Sequence, residues 1–530
     1  MDPRSGRAER PERHAPRMKN AETRVTRRQM LKLAAAGGAV ALGGLSSGPA
    51  RAAAPELVVG MSLDPGHLDP RVEAGGPGWS IFSHMFDGFV FRDERTRPIP
   101  WLVTKWEQVS PTVLRWHLRK GVKFHNGEAF TAESVKFSLG QYAAPTSRSP
   151  WKTRIGVIQE YRIQDPHTID LVTGRPSRPL LRNSTSAMAL SPQAFRELAE
   201  RFPTNPVGTG AMTFVEYRPG QHVIMQANPG YWGTKPPFSQ MRFRFIPENG
   251  TRLAALEAGE VMAVNNVPPD QIPRLRANPN LQVIASPTNR VIFIALRTDR
   301  KPFNDKRVRQ ALNYAIDREA LTKGIMGGMA PIAKAPLPDA IFGSHPSLPP
   351  YAYDPERAKK LLAEAGATGA PFFLGVPNGR YLLDKQVGEA IAGFLEAIGL
   401  KVRFESTLWS SFVNEVTKYE KSKYDGFMFG WGVVTGEPDQ LMGDHFHSAA
   451  VKRTLYSNPE VDRLIGVTRE TFDEAQVRAA YLKAQEIIWD ECPWIWLFEQ
   501  PDINAINKRL KWSAGRRDEY LLFHEARLDA

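Results

Sequence analysis

Apolar and polar positions alternate along this chain with two different periods. Leu114, Trp116 and Leu118 fall at every second position, and Met241, Phe243 and Phe245 alternate with Arg242 and Arg244. Period two places one face inside and one outside, so both segments are predicted strands with one half buried. Residues 57–61 form a shorter, wholly apolar strand. The second half of the chain shows the helical period instead. Ala358, Leu361, Leu362 and Ala365 make a stripe that begins behind Asp354-Pro355 and stops at Gly366. Asp is a good N-cap, Pro fits the first turn, and Gly takes the left-handed position past the end. Val308, Ala311, Leu312, Ala315 and Ile316 share a face, which predicts a helix over 305–322. Val387, Ala390, Ile391, Phe394, Leu395 and Ile398 predict a third, from about Asp384 to the stop at Gly399.

This third helix lies between two predicted strands, 372–376 and 400–404. Strand, helix, strand at this spacing is a βαβ unit with parallel strands. Ligands of such sheets collect beyond the carboxyl ends of the strands. The loop 377–383 occupies that place and carries Asn378, Gly379, Arg380 and Tyr381.

The amino-terminal stretch has another character. Arg27 and Arg28 precede an Ala/Gly/Leu-rich run over 33–45, and Ala50-Arg51-Ala52 supplies small residues for a cleavage site. This layout reads as an export signal over residues 1–52. The run is shorter than the roughly 20 residues a membrane span needs. The paired arginines resemble a twin-arginine signal, which implies export after folding. No cysteine follows the run, so no lipid anchor is expected, and Met18 is an alternative start.

The 530 residues carry a net charge of +13, which invites a nucleic-acid reading. Residues 1–52 hold 11 Lys and Arg against 4 acids, so about half of the excess sits in the signal. The remainder is dispersed, without the basic cluster that binding to a phosphate backbone requires. The single cysteine, Cys492, excludes an intramolecular disulfide, and its apolar surroundings read as a small buried hydrophobe.

Several segments, in order, resemble the family 5 extracellular solute-binding proteins. They are DPGHLDP at 64–70, MFDGFVFRD at 85–93, LRWHLRKGVKFHNGEAFTAESVKFSL at 114–139 and NPVGTGAMTFVEYRPGQHVIMQANPGYWGTKPP at 205–237. TRLAALEAGEV at 251–261, KPFNDKRVRQALNYAIDREAL at 301–321 and YDGFMFGWG at 424–432 follow. The resemblance implies an α/β fold: a two-lobed, type II-like periplasmic-binding-protein clamshell with an additional inserted domain. Lobe I would comprise 53–92, 206–290 and 496–530, the insertion 93–205, and lobe II 291–495. It also implies a soluble monomer in the periplasm that captures a small peptide-like solute. The solute would pass to the membrane permease of an ABC transporter, through peripheral contact with the inner-membrane complex. No catalytic residue, cofactor or nucleic-acid partner is expected.

The resemblance also places the ligand wall at the loop after YDGFMFGWG. Trp431 would provide a flat contact, Phe429 and Val434 would flank it, and Gly430 and Gly432 would allow close backbone approach. Peptide binders of the family commonly carry an aspartate three residues after the tryptophan, to pair with the ligand's ammonium. Here that residue is Val434, and a buried ammonium without an acid is costly. Glu437 and Asp439 are the nearest acids in sequence. Arg380 suits a carboxylate, with Tyr381 and Asn378 beside it. Gly78, Trp79, Trp151 and Arg290 complete the expected cleft. Nickel-chelate, opine and sugar binders of the same fold stay open as alternatives. So do a sensor's receptor and a secreted hydrolase, although no G-x-S-x-G, H-E-x-x-H or phosphate loop occurs. Asp444, His445 and His447 form a weak metal-like cluster, read as a solvated loop rather than a site.

Overall fold

In a computed structural model, the structure describes residues 55–72, 76–449, 454–512, 515–523 and 526–529. The expected export signal lies outside them. Strand β1 (Glu56–Met61) is followed by the helix Gly76–Met85 and a small antiparallel pair, β2 (Val90–Arg92) and β3 (Pro98–Pro100). Four strands then form an antiparallel sheet: β4 (Val103–Ser110), β5 (Val113–Leu118), β6 (Ile158–Asp165) and β7 (Thr168–Thr173), in the order β4-β5-β7-β6. The predicted alternation along β5 holds, with Leu114, Trp116 and Leu118 buried. This separate sheet falls within the expected insertion.

The chain next enters a ten-stranded sheet through β8 (Met212–Arg218), β9 (His222–Ala227), β10 (Gln240–Phe245) and β11 (Ala263–Val264). The long strand β12 (Leu281–Leu296) runs through its middle. Strands β13 (Pro371–Asn378), β14 (Lys401–Leu408) and β15 (Gly426–Gly432) build the far side, and β16 (Trp494–Asn507) returns along β12. A short pair, β17 (Leu510–Lys511) and β18 (Arg527–Leu528), ends the described chain. The sheet order is β14-β13-β15-β12-β16-β11-β1-β10-β9-β8. β13 and β14 are parallel and joined by the helix Asp384–Ala397, as the βαβ pattern predicts.

The two long strands divide this sheet. β15 pairs with β12 only over Arg290–Leu296, and β11 pairs with β16 only at Ala505 and Ile506. Between these regions the β12–β16 ladder loses register, from Pro287 to Val291. Pro287 stands opposite Pro501, so neither residue can donate to the ladder. Side chains replace the missing bonds: Thr288 Oγ1 donates to the Gln500 carbonyl at 2.6 Å and accepts from Arg290 N at 3.1 Å. The result is a kink shared by both strands.

One prediction is corrected. The helix expected over 305–322 breaks after Tyr314, and Asp317 caps a new turn at Arg318–Ala320. The buried Arg318 guanidinium causes the break. It donates to the carbonyls of Asn313 and Ile316, which a continuing helix would have used, and to those of Tyr351 and Trp496. Cys492 is fully buried, donates to Tyr351 Oη at 2.8 Å, and has its thiol pushed up to about 12 by burial. No helix among the described residues is long and apolar enough to cross a membrane.

Candidate functional site

The kink turns Arg290 inward. Its Nε and Nη2 donate to the two carboxylate oxygens of Glu519 at 2.6 and 2.9 Å, and Nη1 donates to the Gly430 carbonyl at 3.0 Å. The same carbonyl accepts from Tyr381 Oη at 3.2 Å. This fork geometry is the strong form of ion pair, and the arginine is fully buried, 4% exposed. Burial pulls the guanidinium down, but the attraction and hydrogen bonds of Glu519, with smaller contributions from Tyr381 and Tyr520, together hold it above its usual range. Gly430 is required here. A Cβ would stand 2.6 Å from Ile292 Cδ1 and 2.7 Å from Tyr381 Cε1. A Cβ on Gly432 would stand 3.3 Å from Arg290 Nη2.

The loop at the end of β13 is organised by Asp384. Its carboxylate accepts from the backbone N–H groups of Gly379, Arg380, Tyr381 and Lys385 at 2.9 to 3.1 Å. The Leu382 N–H donates to Gln500 Oε1 at 3.2 Å, which ties the loop to the kink of β16. The half-buried Arg380 guanidinium lies over the rings of Tyr381 and Trp409, 5.0 and 5.3 Å from their centroids. Asn378 ends the strand and is exposed.

An aromatic wall continues from this node. Trp79 stacks on Tyr520 with centroids 5.4 Å apart, and Trp151 meets Trp79 edge-on at 6.5 Å. Arg92 lies over both rings of the stack and pairs with Asp518, which also holds Arg516. Trp151 Nε1 and Tyr520 Oη are buried and have no hydrogen-bond partner among the described residues. Gly78 is buried in the helix that carries Trp79. Val434 is buried against the core that includes Trp79 and Trp151.

Trp431 faces elsewhere. Its Nε1 donates to the Gln440 carbonyl at 2.8 Å, and its half-buried ring meets His445 edge-on at 4.5 Å and Phe429 at 6.1 Å. The strand alternates, so Gly430 and Gly432 meet Tyr381 and Arg290 while Phe429 and Trp431 join a different core. The two sets remain connected. Arg154 Nη2 donates to the same Gln440 carbonyl at 3.2 Å, and its guanidinium lies 5.0 Å from the Trp151 ring centroid.

Two cavities border this arrangement. The smaller, about 30 Å³, is lined by Arg380, Gln500, Asp502, Glu519, Asn265 and Asn266, among others. The larger, about 530 Å³, lies where residues 153–183 face residues 439–470, with Arg154, Asn183, Asp444 and Arg469 in its walls. The acids nearest the tryptophan loop are already engaged. Glu437 is fully buried between Arg178 and Tyr481, and Asp439 pairs with Arg469. The solvated loop expected around Asp444, His445 and His447 is corrected: Asp444 and His445 lie in the helix Asp439–Phe446, where Asp444 pairs with Arg154 and His445 is buried against Phe293 and Trp494, while His447 lies 3.8 Å from Asp462.

Glu519, Tyr520, Gln500 and Asp502 were absent from the sequence-based set. No motif marks them. One signal was available: the apolar run 494–498 breaks into Glu499-Gln500-Pro501-Asp502 in the middle of a strand, where polar residues need a reason.

Comparison with known proteins gives a consistent picture. The model of the bacterial extracellular solute-binding proteins, family 5 middle, matches residues 97–453. The glutathione-binding protein GsiB of Pectobacterium atrosepticum is 29% identical over 489 residues, covering 90% of this chain and 95% of that protein. Among solved structures, the periplasmic binding protein DppA from Helicobacter pylori, in complex with peptide STSA, superposes with a TM-score of 0.82 at 25% identity. That match covers 90% of this chain and 98% of the other. The oligopeptide-binding protein AppA from Bacillus subtilis, in complex with a nonapeptide, gives 0.81 at 22% identity, covering 90% and 99%. The fold is the two-lobed α/β clamshell of periplasmic binding proteins, and the chain belongs to the bacterial extracellular solute-binding proteins of family 5.

Proposed function

We propose that this chain is the exported substrate-binding component of an ABC importer, which captures a small peptide-like solute between two lobes and delivers it to a membrane permease. The observation that carries this reading is the buried node at the strand kink. Arg290, Glu519, Gly430 and Tyr381 meet there, beside an aromatic wall. Clefts of this kind fix a guest by a few buried polar groups among aromatic walls. The relatives named for glutathione and for peptides favour an amino-acid-based solute.

In this reading lobe I comprises 53–92, 206–290 and 496–530, lobe II 291–495, and the insertion 93–205. The kink at 287–291 and 499–501 serves as the hinge, where few ladder bonds resist bending. Residues 1–52 direct export through the twin-arginine route, and the mature protein works as a periplasmic monomer without a lipid anchor. Arg380, Trp79, Trp151 and the Gly430–Gly432 backbone contact the solute.

Native mass spectrometry of gently purified protein tests the proposal. A released peptide or peptide conjugate is expected, together with a smaller radius of gyration when it is added back. A sugar, a metal chelate or another guest lacking any amino-acid unit would overturn it.

A further inference from the structure

A solute with a free amino terminus brings a positive charge into the cleft, and Val434 cannot balance it. The structure limits which acid can. Glu437 is paired with Arg178, Asp439 with Arg469, Asp444 with Arg154, Asp518 with Arg92 and Arg516, and Glu519 with Arg290. Asp502 differs. Among the described residues its carboxylate has no ion-pair partner, and it accepts a hydrogen bond from Asn504 Nδ2 at 2.8 Å. It lines the cavity of about 30 Å³ on the same face of β16 as Gln500. Gln500 in turn holds the loop that carries Arg380, which lines the same cavity. A carboxylate and a guanidinium therefore border one small space, beside a Glu519–Arg290 pair that is already neutral.

We propose that Asp502 binds the ammonium of an amino-acid-like head group, with Arg380 holding a carboxylate of the same ligand. The assignment rests on the peptide-like reading above and names the part of the solute that the site selects. The cavity admits more than a single water-sized group and is partly open. A carboxylate without an ion-pair partner favours a charged ammonium over an uncharged acylated nitrogen, so the site selects a free primary amine. Asp502 stands on the strand that crosses between the halves of the sheet, not on the tryptophan loop.

Isothermal titration at pH 7.5 with a panel of free di- and tripeptides, each beside its Nα-acetyl form, tests this. Free forms are expected to bind at least 30-fold more tightly than their acetyl partners. Asp502→Asn should remove that preference by weakening only the free forms. A melting temperature no lower than the wild type's would show that the variant folds. Arg380→Gln should weaken free acids more than their C-terminal amides. Equal binding of free and acetylated forms, or an undiminished preference in Asp502→Asn, would overturn the assignment while leaving peptide capture intact. A panel in which neither form binds would remove the peptide reading and this inference with it.

Discussion

Replacing Arg290 by Met removes one half of a buried, forked ion pair. The side chains of Arg290 and Glu519 are 5% and 11% exposed, so solvent does little to screen the carboxylate that remains. The Gly430 carbonyl also loses one of its two donors. Breaking a buried pair from one side costs about 3–5 kcal/mol, mostly the penalty of an uncompensated charge. Unfolding entropy is about 2.1 cal/mol/K per residue, so a body of roughly 470 residues has about 1 kcal/mol/K, and the melting temperature should fall by about 3–5 °C. Glu519→Gln should cost less, since it leaves a guanidinium that can still donate to the Gly430 carbonyl. The double variant, Arg290→Met with Glu519→Gln, should recover most of the loss because no buried charge is stranded. Differential scanning calorimetry of the four proteins closes the cycle. A single Arg290→Met loss below about 1 kcal/mol, the range of an exposed pair, would refute the reasoning. So would strictly additive losses in the double variant.

Three further outcomes follow from the same site. Burial, and then repulsion by Glu519, raise the Asp502 carboxyl to about 7, against opposing effects of Asn504 and Arg290 and a smaller push from Asp518. A raised folded-state value means the native state holds a proton the unfolded chain releases, so this contribution to stability is full below about pH 4 and lost as pH rises through 7. The melting curve of Asp502→Asn should match the wild type near pH 4 and lie above it at pH 8; parallel curves would contradict the burial of this acid. Gly430→Ala should lower stability by about 1–3 kcal/mol, by driving Tyr381 and Ile292 apart, and should abolish ligand binding, as calorimetry and titration would show. Arg380→Ala and Trp79→Ala should each weaken binding of the co-purified solute without loss of folded protein by circular dichroism, and unchanged affinity in both would show the pocket is misplaced.

Much of this arrangement was readable from local pattern. The βαβ unit follows from one apolar stripe and a terminal glycine, and Gly399 takes the positive φ of +94° expected of such a stop. Arg290, Tyr381, Gly430 and Gly432 were nominated together, and the structure joins them through one carbonyl and one guanidinium. The single helix expected over 305–322 failed because its stripe is equally compatible with two pieces, and the deciding group, Arg318, acts through carbonyls from distant segments. Glu519 and Asp502 were invisible for a related reason. Glu519 lies 229 positions from the arginine it pairs with, and nothing near either residue encodes the meeting. Glu437 and Asp439 are close to Trp431 in sequence, but each is consumed by an arginine from another part of the chain.

Two prolines facing each other across β12 and β16 act as a crease in a folded page. Hydrogen-bonded strands resist sliding along their length, yet they bend readily across a row where bonds are missing. A swing about that line barely displaces groups lying on it, such as Arg290 and Gln500. If the proposed hinge lies along this line, the groups that border the small cavity, Gln500 among them, are the ones that move least.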